Sequence, residues 1–303
     1  MYKVEPVNPA LALNLEPLGT KRKYWYRHDG VRILFKAEER GTGEDWAEKV
    51  SCELAALLGL PHVHYDLAEE KGTGTPGVIC ASCAAPPVSL VLGNEILLAL
   101  DEDYPVEQGQ KYKVKAHTVD AVASAVDLIR PPPAVWLASV PRGIETALDV
   151  FVGYILLDAW VANQDRHHEN WGVLCDKKAL RLAPTFDHGS ALARNHTDAD
   201  RKKRLQSNDV NQQIPTFASK AKSAFFENRT AKRPLTTRAA WQAFAERAPQ
   251  AAAIWLERLS AIDAPTVQSV LDSIPPARMS AVCRAFTQEL LRTNQHYLLE
   301  QPQ

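Results

Sequence analysis

The first 83 residues alternate hydrophobic and polar positions as strands do, with one helical stretch between them. Aromatic and β-branched residues on both sides of a His-Asp-Gly turn predict a hairpin over residues 24–36. Apolar residues at helical spacing predict a helix from Glu44 to Leu58, where a Gly-Leu-Pro segment ends it. Alternation over residues 62–68 and a short apolar run at 78–83 predict two further strands. This part of the chain should form a small sheet with one helix.

Later in the chain the spacing becomes helical. Residues 121–129 predict a short helix and residues 144–162 a long one. The long helix carries three acidic residues, so it is expected in a protein core and not in a membrane. A helix over residues 281–299 closes the chain, whereas the polar, basic stretch 194–204 predicts a mobile surface loop.

These patterns predict an α+β fold of two lobes. The 303 residues are more than one small core needs. We expect a strand-rich N-terminal lobe, residues 1–93, and a larger helical C-terminal lobe, residues 94–303. A ligand cleft is expected between them, because pockets commonly form where two lobes meet.

Charge and cysteine content narrow the class of protein. The chain has 35 basic and 36 acidic residues, a balance that argues against direct nucleic-acid binding and against an acidic membrane surface as partner. Five cysteines at irregular spacing indicate reduced thiols and a cytoplasmic protein. The amino-terminal segment lacks the basic start and apolar run of a signal peptide, and no membrane insertion is expected.

Directly after the long helix, the stretch NQDRHHEN concentrates polar chemistry. Asp165 and Asn170 stand five residues apart, the interval between the base and the metal-binding amide of kinase catalytic loops. A short hairpin follows, and then Asp187 in an Asp-x-Gly context, where a carboxylate suits Mg²⁺. Phosphoryl transfer from a nucleotide needs such a carboxylate, oxygen ligands for Mg²⁺ and a cation on the phosphates.

A candidate for that cation is Lys36, which ends a hydrophobic strand. Glu48 lies on the following helix, where its carboxylate could hold the lysine. Glu44 and Glu53 compete for this role, but Glu53 points about 140° away from Glu48 on an ideal helix.

Before the hairpin, the segment LGTKRKYW contains one glycine and two lysines. A turn here could direct backbone N–H groups and ammonium groups at phosphates. The candidate phosphate-loop residues are Gly19, Thr20, Lys21 and Lys23. The segment matches neither of the common glycine-rich phosphate motifs, so it is weak support alone.

Plainer interpretations exist for several of these residues. Asp165 and Asn170 are also typical of a chain leaving a helix, and Arg166 is expected to organise the loop through a salt bridge. His62 and His64 could form a zinc site with Cys80 and Cys83. Strand alternation argues against that site, because it would send the two cysteines to opposite faces.

Taken together, LGTKRKYW, ILFKA, WAEKVSCELAALLGL, NQDRHHENWGVL and APTFDHGSAL resemble the HipA-like kinase family over most of residues 18–193. The resemblance implies a two-lobed, protein-kinase-like fold that uses ATP and Mg²⁺. It also implies transfer of the γ-phosphate to a serine or threonine of a protein substrate, or of the chain itself.

The resemblance also implies roles for individual residues. Asp165 would be the catalytic base, and Asn170 and Asp187 the magnesium ligands. Lys36 would contact phosphate with Glu48 as its partner, and His167 would be a second phosphate contact. The remaining nucleotide contacts would be the phosphate-loop residues and the backbone of the strand that leads into the hinge, at Ile79, Ala81 and Ser82.

The chain departs from HipA toxins in one respect: they carry an additional subdomain ahead of the phosphate loop, and only a short segment precedes Gly19 here. The resemblance is therefore to a short form, in which a small antitoxin-like partner and a toxin–antitoxin role are expectations. The Asp-Arg-His-x-x-Asn order also resembles phosphatidylinositol kinases. A lipid or small-molecule kinase, or a nucleotide-binding pseudokinase, is the alternative.

Overall fold

The computed structural model of the chain describes residues 1–15, 22–105, 114–177 and 179–300. Its strands are β1 Val4–Val7, β2 Asn14–Leu15, β3 Lys23–His28, β4 Val31–Ala37, β5 Tyr65–Glu70, β6 Pro76–Ala81, β7 Ser89–Leu92, β8 Gly172–Cys175 and β9 Leu180–Leu182. Its α-helices are α1 Glu44–Leu58, α2 Gly93–Leu100, α3 Val119–Asp127, α4 Ala147–Trp160, α5 Asp198–Gln206, α6 Ile214–Ala218, α7 Thr237–Ala245, α8 Pro249–Ser260, α9 Ala264–Asp272 and α10 Ala281–Glu300. Short 3₁₀ turns occur at Pro9–Leu11 and Ala134–Trp136.

Six strands form one sheet in the order β1-β5-β6-β4-β3-β2. Only β1 and β5 run parallel within it; the other described neighbours are antiparallel. The β3–β4 hairpin turns at Asp29 and Gly30, both at positive φ, as the His-Asp-Gly signal predicted. Helix α1 packs on β5 and β6 with the predicted bounds. This part confirms the predicted sheet with one helix.

The rest of the chain is mainly helical around α4, with a small sheet of order β7-β8-β9 beside it. Helix α4 is buried along almost its whole length and packs against α3, α7, α8 and α10. It starts at Ala147, three residues later than predicted, because Thr146 and Asp149 cap it reciprocally. The α+β class is confirmed. The division at residue 93 stays a prediction, although the six-stranded sheet uses no described strand after Ala81.

Two predicted elements differ from the structure. The stretch 194–204 was expected to be a mobile loop, but helix α5 occupies most of it. A Thr197–Asp200 capping box starts this helix, a signal that was present in the sequence. The strand predicted from His62 begins instead at Tyr65, because His62 forms an isolated bridge with Thr185.

Helix α1 is fastened to the helical part of the chain near both of its ends. Arg278 donates to the buried carboxylate of Asp45 over 2.9 Å and to Ala68 O over 3.1 Å. Glu44 forms an ion pair with Arg194. At the other end, Gly59 caps the helix at φ +81°, and a Cβ there would lie 2.3 Å from Ser139 O. Contacts with distant segments therefore determine the position of α1.

Across the described ranges, none of the helices combines the length and apolar character needed to cross a membrane.

Candidate active site

Lys36 on β4 joins two carboxylates that come from separate parts of the chain. Its Nζ lies 2.7 Å from Glu48 Oε2 on α1 and 2.5 Å from Asp187 Oδ1. The two competing glutamates of α1 have other cations: Glu53 pairs with Lys49 and Glu44 with Arg194. The structure therefore brings together three residues that the sequence had placed in one site.

The two carboxylates keep the ammonium group of Lys36 charged. Burial alone would lower the pKa of Lys36, but the carboxylates of Asp187 and Glu48 outweigh burial and raise its pKa above the usual value. The ammonium group therefore stays charged over the whole physiological pH range. A charged lysine held by two carboxylates can turn toward phosphate oxygens without a change in protonation.

Glu48 also positions the segment that carries Asp187. While one carboxylate oxygen accepts from Lys36, the other accepts from the backbone N–H of His188 over 2.7 Å. Asp187 itself adopts φ +59°, an unfavourable conformation for a residue with a Cβ. The neighbouring hydrogen bond helps to hold this backbone, so the side chain of Asp187 faces Lys36.

The loop after α4 holds the second group of predicted site residues. Asp165 Oδ2 accepts from Ser190 Oγ over 3.0 Å, and Asp165 Oδ1 lies 3.5 Å from His167 Nε2. Asn170 Nδ2 donates to Asp165 O over 2.7 Å, closing the loop on itself. The loop is largely buried, but Asp165 keeps 17% of its side chain exposed. Asp165 is thus fixed, while part of its side chain can meet a ligand.

Arg166 connects this loop to helix α4 and to the segment that carries His188. The fully buried guanidinium forms a two-point ion pair with Asp158 of α4, at 2.7 and 2.9 Å. It also donates to Asn170 O over 2.7 Å. This is the salt bridge that the sequence predicted for Arg166, and it sets the loop rigidly on the end of α4.

His188 continues the connection toward Glu48. Its Nε2 lies 2.9 Å from Arg166 Nη2, and because arginine can only donate, the imidazole nitrogen accepts. Burial and the Arg166 charge keep the pKa of His188 well below its usual value. Neutral His188 therefore links the loop, through its own backbone N–H, to Glu48 and Lys36. Sequence reasoning did not single out this residue.

Two further buried histidines, His168 within the loop and His117 packed against it, were also not recognised from the sequence. His168 Nδ1 lies 3.0 Å from the hydroxyl of Tyr104. His117 accepts from Trp171 Nε1 over 3.2 Å, and its other nitrogen lies 3.0 Å from Ala224 O. The contacts join segments that are distant in sequence, so the sequence around the loop does not predict them. The two histidines and their partners anchor the loop to the core of the helical part.

His117 predicts a specific pH dependence of stability. Burial, with the nearby His168 and His167, lowers the pKa of His117 to about 3. The unfolded chain takes up this proton below about pH 6.5, so stability falls as the pH drops through that value. Between pH 8 and pH 5 this residue should cost about 2 kcal/mol. The variant His117→Gln should lose that part of the pH dependence in urea unfolding measured at both pH values. An unchanged dependence would contradict the assignment.

The other predicted nucleotide contacts are placed less completely. Ile79 lies inside the sheet, paired with Phe35 and Asp66 on its two sides. Ala81 pairs with β4 alone among the described strands, and Ser82 N donates to Arg32 O over 2.9 Å. An adenine contact at these residues stays a prediction.

The predicted phosphate loop lies mostly outside the described residues. Gly19, Thr20 and Lys21 are not among them. Lys23 is the first residue of β3 and stands opposite Lys36 in the strand pair. Lys23 therefore stands beside Lys36, and its phosphate contact stays a prediction.

The donor set fits a hard divalent cation. The amide nitrogen of Asn170 is engaged with Asp165 O, which leaves its oxygen as the atom that can ligate. Asp187 adds a carboxylate that is 32% exposed. Two oxygen donors of this kind suit Mg²⁺, which usually takes few protein ligands and keeps several waters.

Comparison with solved structures identifies the fold. The Helicobacter pylori proinflammatory kinase CtkA has a TM-score of 0.68 and 18% identity, with 98% of this chain and 99% of that chain covered. A chain of the Shewanella oneidensis complex of the toxin–antitoxin proteins HipA and HipB with operator DNA has a TM-score of 0.56 and 11% identity. That match covers 94% of this chain and 64% of the other.

Neither a protein-family model nor a curated protein sequence matches the chain. The structural matches, at this low identity, show a common fold. They confirm what the motifs indicated: the chain has the two-lobed, protein-kinase-like fold of the HipA-like kinases.

Proposed function

We propose that this chain is an ATP- and Mg²⁺-dependent kinase that transfers the γ-phosphate to a serine or threonine of a protein. One observation carries the proposal: Lys36 is bound at once by Glu48 and Asp187. Phosphoryl transfer in this fold needs a lysine fixed by a helix carboxylate and an aspartate that meets the nucleotide's metal. In this proposal the nucleotide lies between lobes of residues 1–93 and 94–303, and the enzyme acts in the cytoplasm.

Each residue has a defined task in the proposed reaction. Lys36, steadied by Glu48, neutralises phosphate oxygens. Asn170 and Asp187 hold Mg²⁺, which when bound supplies positive charge to the phosphates. Asp165 accepts the proton of the attacking hydroxyl, and Arg166 and His188 keep the two halves of the site in register. The hydroxyl of Ser190 already donates to Asp165, which supports the view that this carboxylate can receive an alcohol.

The proposed acceptor is a hydroxyl group of a protein. The motif resemblance to the HipA-like kinases favours a protein hydroxyl, and the near-zero net charge gives no reason to prefer an anionic lipid. Transfer to the chain itself is part of the same proposal, because serine and threonine residues are present on its surface.

The test uses purified wild-type protein and Asp187→Asn with γ-labelled ATP and Mg²⁺. Each is incubated alone, with cell lysate, with phosphatidylinositol vesicles and with small alcohols. Mass spectrometry of the labelled bands identifies the modified residue. We expect label on a protein serine or threonine with the wild-type enzyme and no label with the variant. Label confined to lipid or small alcohols would replace the acceptor class. Nucleotide binding without transfer to any acceptor would support a pseudokinase.

We also propose a small antitoxin-like partner. The Shewanella complex contains HipB and operator DNA with HipA, and we assign any DNA contact in such an assembly to the partner, because this chain carries no net positive charge. Co-purification from the native host identifies the partner. DNA-binding measurements on this chain, with and without that partner, then show which of the two proteins contacts DNA. Direct binding of DNA by this chain alone would refute the assignment.

A further inference from the structure

A cluster of soft metal-binding side chains lies beside α1, outside the site described above. Cys52 is on the helix, and His62 and His64 are on the segment between α1 and β5. One ligand atom of each lies within 4.8 Å of the others. The Cys52 Sγ to His64 Nδ1 distance is 3.7 Å. We propose that Cys52, His62 and His64 form a zinc-binding site.

The distances suit tetrahedral coordination after a small adjustment. Zinc bonds to sulfur at 2.3 Å and to imidazole nitrogen at 2.0–2.1 Å give an S to N separation of about 3.6 Å. The Cys52–His64 pair already meets this value. The wider separations are those that involve His62; they are at most 4.8 Å and must close by about 1 Å. His64, with 61% of its side chain exposed, has room to adjust with them.

The second nitrogen of each histidine is already held as in known metal sites. His62 Nδ1 lies 2.7 Å from Leu60 O, which leaves the lone pair on Nε2 for a metal. His64 Nε2 lies 3.1 Å from Asp66 Oδ1, which leaves the lone pair on Nδ1, the nitrogen that faces Cys52. A ligating histidine almost always donates its other N–H to a carbonyl or carboxylate. Both histidines here have that arrangement.

The surroundings can balance the charge of the metal. Lys49 lies 2.7 Å from Glu53 and 3.1 Å from Asp66. With zinc bound, Zn²⁺ and Lys49 are offset by Glu53, Asp66 and the Cys52 thiolate. The backbone N–H of Tyr65 donates to Cys52 Sγ over 3.3 Å, which further stabilises a thiolate. Zinc binding forms the Zn–S bond, breaks the S–H bond and releases its proton to solvent.

Zinc at this position would fasten three parts of the chain together. It bonds to α1 and to residues 62 and 64 directly. The same segment exchanges backbone hydrogen bonds with Thr185, from Val63 N to Thr185 O and from Thr185 N to Pro61 O, both 2.9 Å. Thr185 lies two residues before Asp187. Three protein ligands leave the fourth position of a tetrahedral zinc to water.

The test is a titration of the full-length, reduced and chelator-treated protein with Co²⁺, in the absence of nucleotide. A Cys-His-His site should bind one equivalent of Co²⁺ with tetrahedral visible bands and a thiolate-to-cobalt charge-transfer band. Zn²⁺ should displace the Co²⁺ and abolish both. Absence of the charge-transfer band in wild type would overturn the proposal.

Variants assign the ligands. Cys52→Ser should lose the charge-transfer band, and His64→Ala should bind Co²⁺ at least about tenfold more weakly. Asp66→Ala should weaken binding by about 10- to 100-fold, because it removes the acceptor of the His64 Nε2–H. The control Cys83→Ser, a partly buried free thiol, should bind as wild type does.

His64→Ala keeps the proposal testable even if the buried Cys52→Ser variant does not fold. Wild-type affinity in His64→Ala would overturn the site. Loss of the band in Cys83→Ser with retention in Cys52→Ser would move the site to the other cysteine pair. Neither result depends on kinase activity, so this proposal and the proposed function fail independently.

Discussion

Replacing Asp165 by asparagine is expected to lower the rate of phosphoryl transfer by about 10² to 10⁴-fold, with little change in stability. The amide keeps the size of the carboxylate and an oxygen that can accept from Ser190, but it no longer takes up a proton. Initial rates at saturating ATP should fall, while nucleotide affinity measured by calorimetry stays near the wild-type value.

The matched control is Asp127→Asn, at the exposed end of α3. It should leave the rate unchanged. A full rate for Asp165→Asn, in a preparation with no contaminating kinase, would show that the proton leaves by another path. The base assignment would then be wrong, although the nucleotide site could remain.

Arg166→Leu is expected to lower the free energy of unfolding by about 3–5 kcal/mol. It would leave the carboxylate of Asp158, which is 5% exposed, buried without its cation. It would also remove the donor to Asn170 O. Urea unfolding followed by circular dichroism measures the change. The double variant Asp158→Leu with Arg166→Leu should recover part of the loss, because no lone charge remains buried.

Arg292→Leu provides the comparison. Arg292 pairs with Glu289 one turn earlier on α10, with 61% of the arginine side chain exposed. Water screens such a pair, so its loss should cost less than about 1 kcal/mol. If the two arginine variants were equally stable, the Asp158–Arg166 pair would not be the contact that holds the loop.

The sequence nominated residues for the candidate site but gave no signal for several of the contacts that hold them. Asp165, Asn170 and Asp187 were recognisable because their spacing follows the chain, and Lys36 with Glu48 because one strand leads directly into one helix. His188 and His117 were missed, since their partners lie 22 and 54 residues away in Arg166 and Trp171. Local patterns do not report such contacts.

The zinc interpretation shows the same limit. His62 and His64 were noticed, but were matched with Cys80 and Cys83, which follow them in sequence. The structure instead places Cys52 beside them, on the preceding helix. Which face of a helix meets a neighbouring strand depends on packing, and the sequence pattern alone did not determine it.

Boundaries depended on tertiary contacts as well. Helix α1 was predicted with its observed bounds because Gly59 ends it locally. The strand after it was predicted too early, since the bridge between His62 and Thr185 delays the regular pairing until Tyr65. The loop predicted at residues 194–204 shows the opposite error, where a local cap was present and outweighed the polar composition.

The fastening of α1 limits how the proposed enzyme can be controlled. Kinases of this general fold can be switched by moving the helix that carries the lysine's glutamate. Here that motion would break the buried Asp45–Arg278 pair and the Glu44–Arg194 pair together with the Lys36–Glu48 contact. An inhibitor acting through α1 would have to bind the displaced form more tightly by at least the free energy of all three contacts. Control that leaves α1 in place and acts on access of nucleotide or acceptor requires no such difference in affinity.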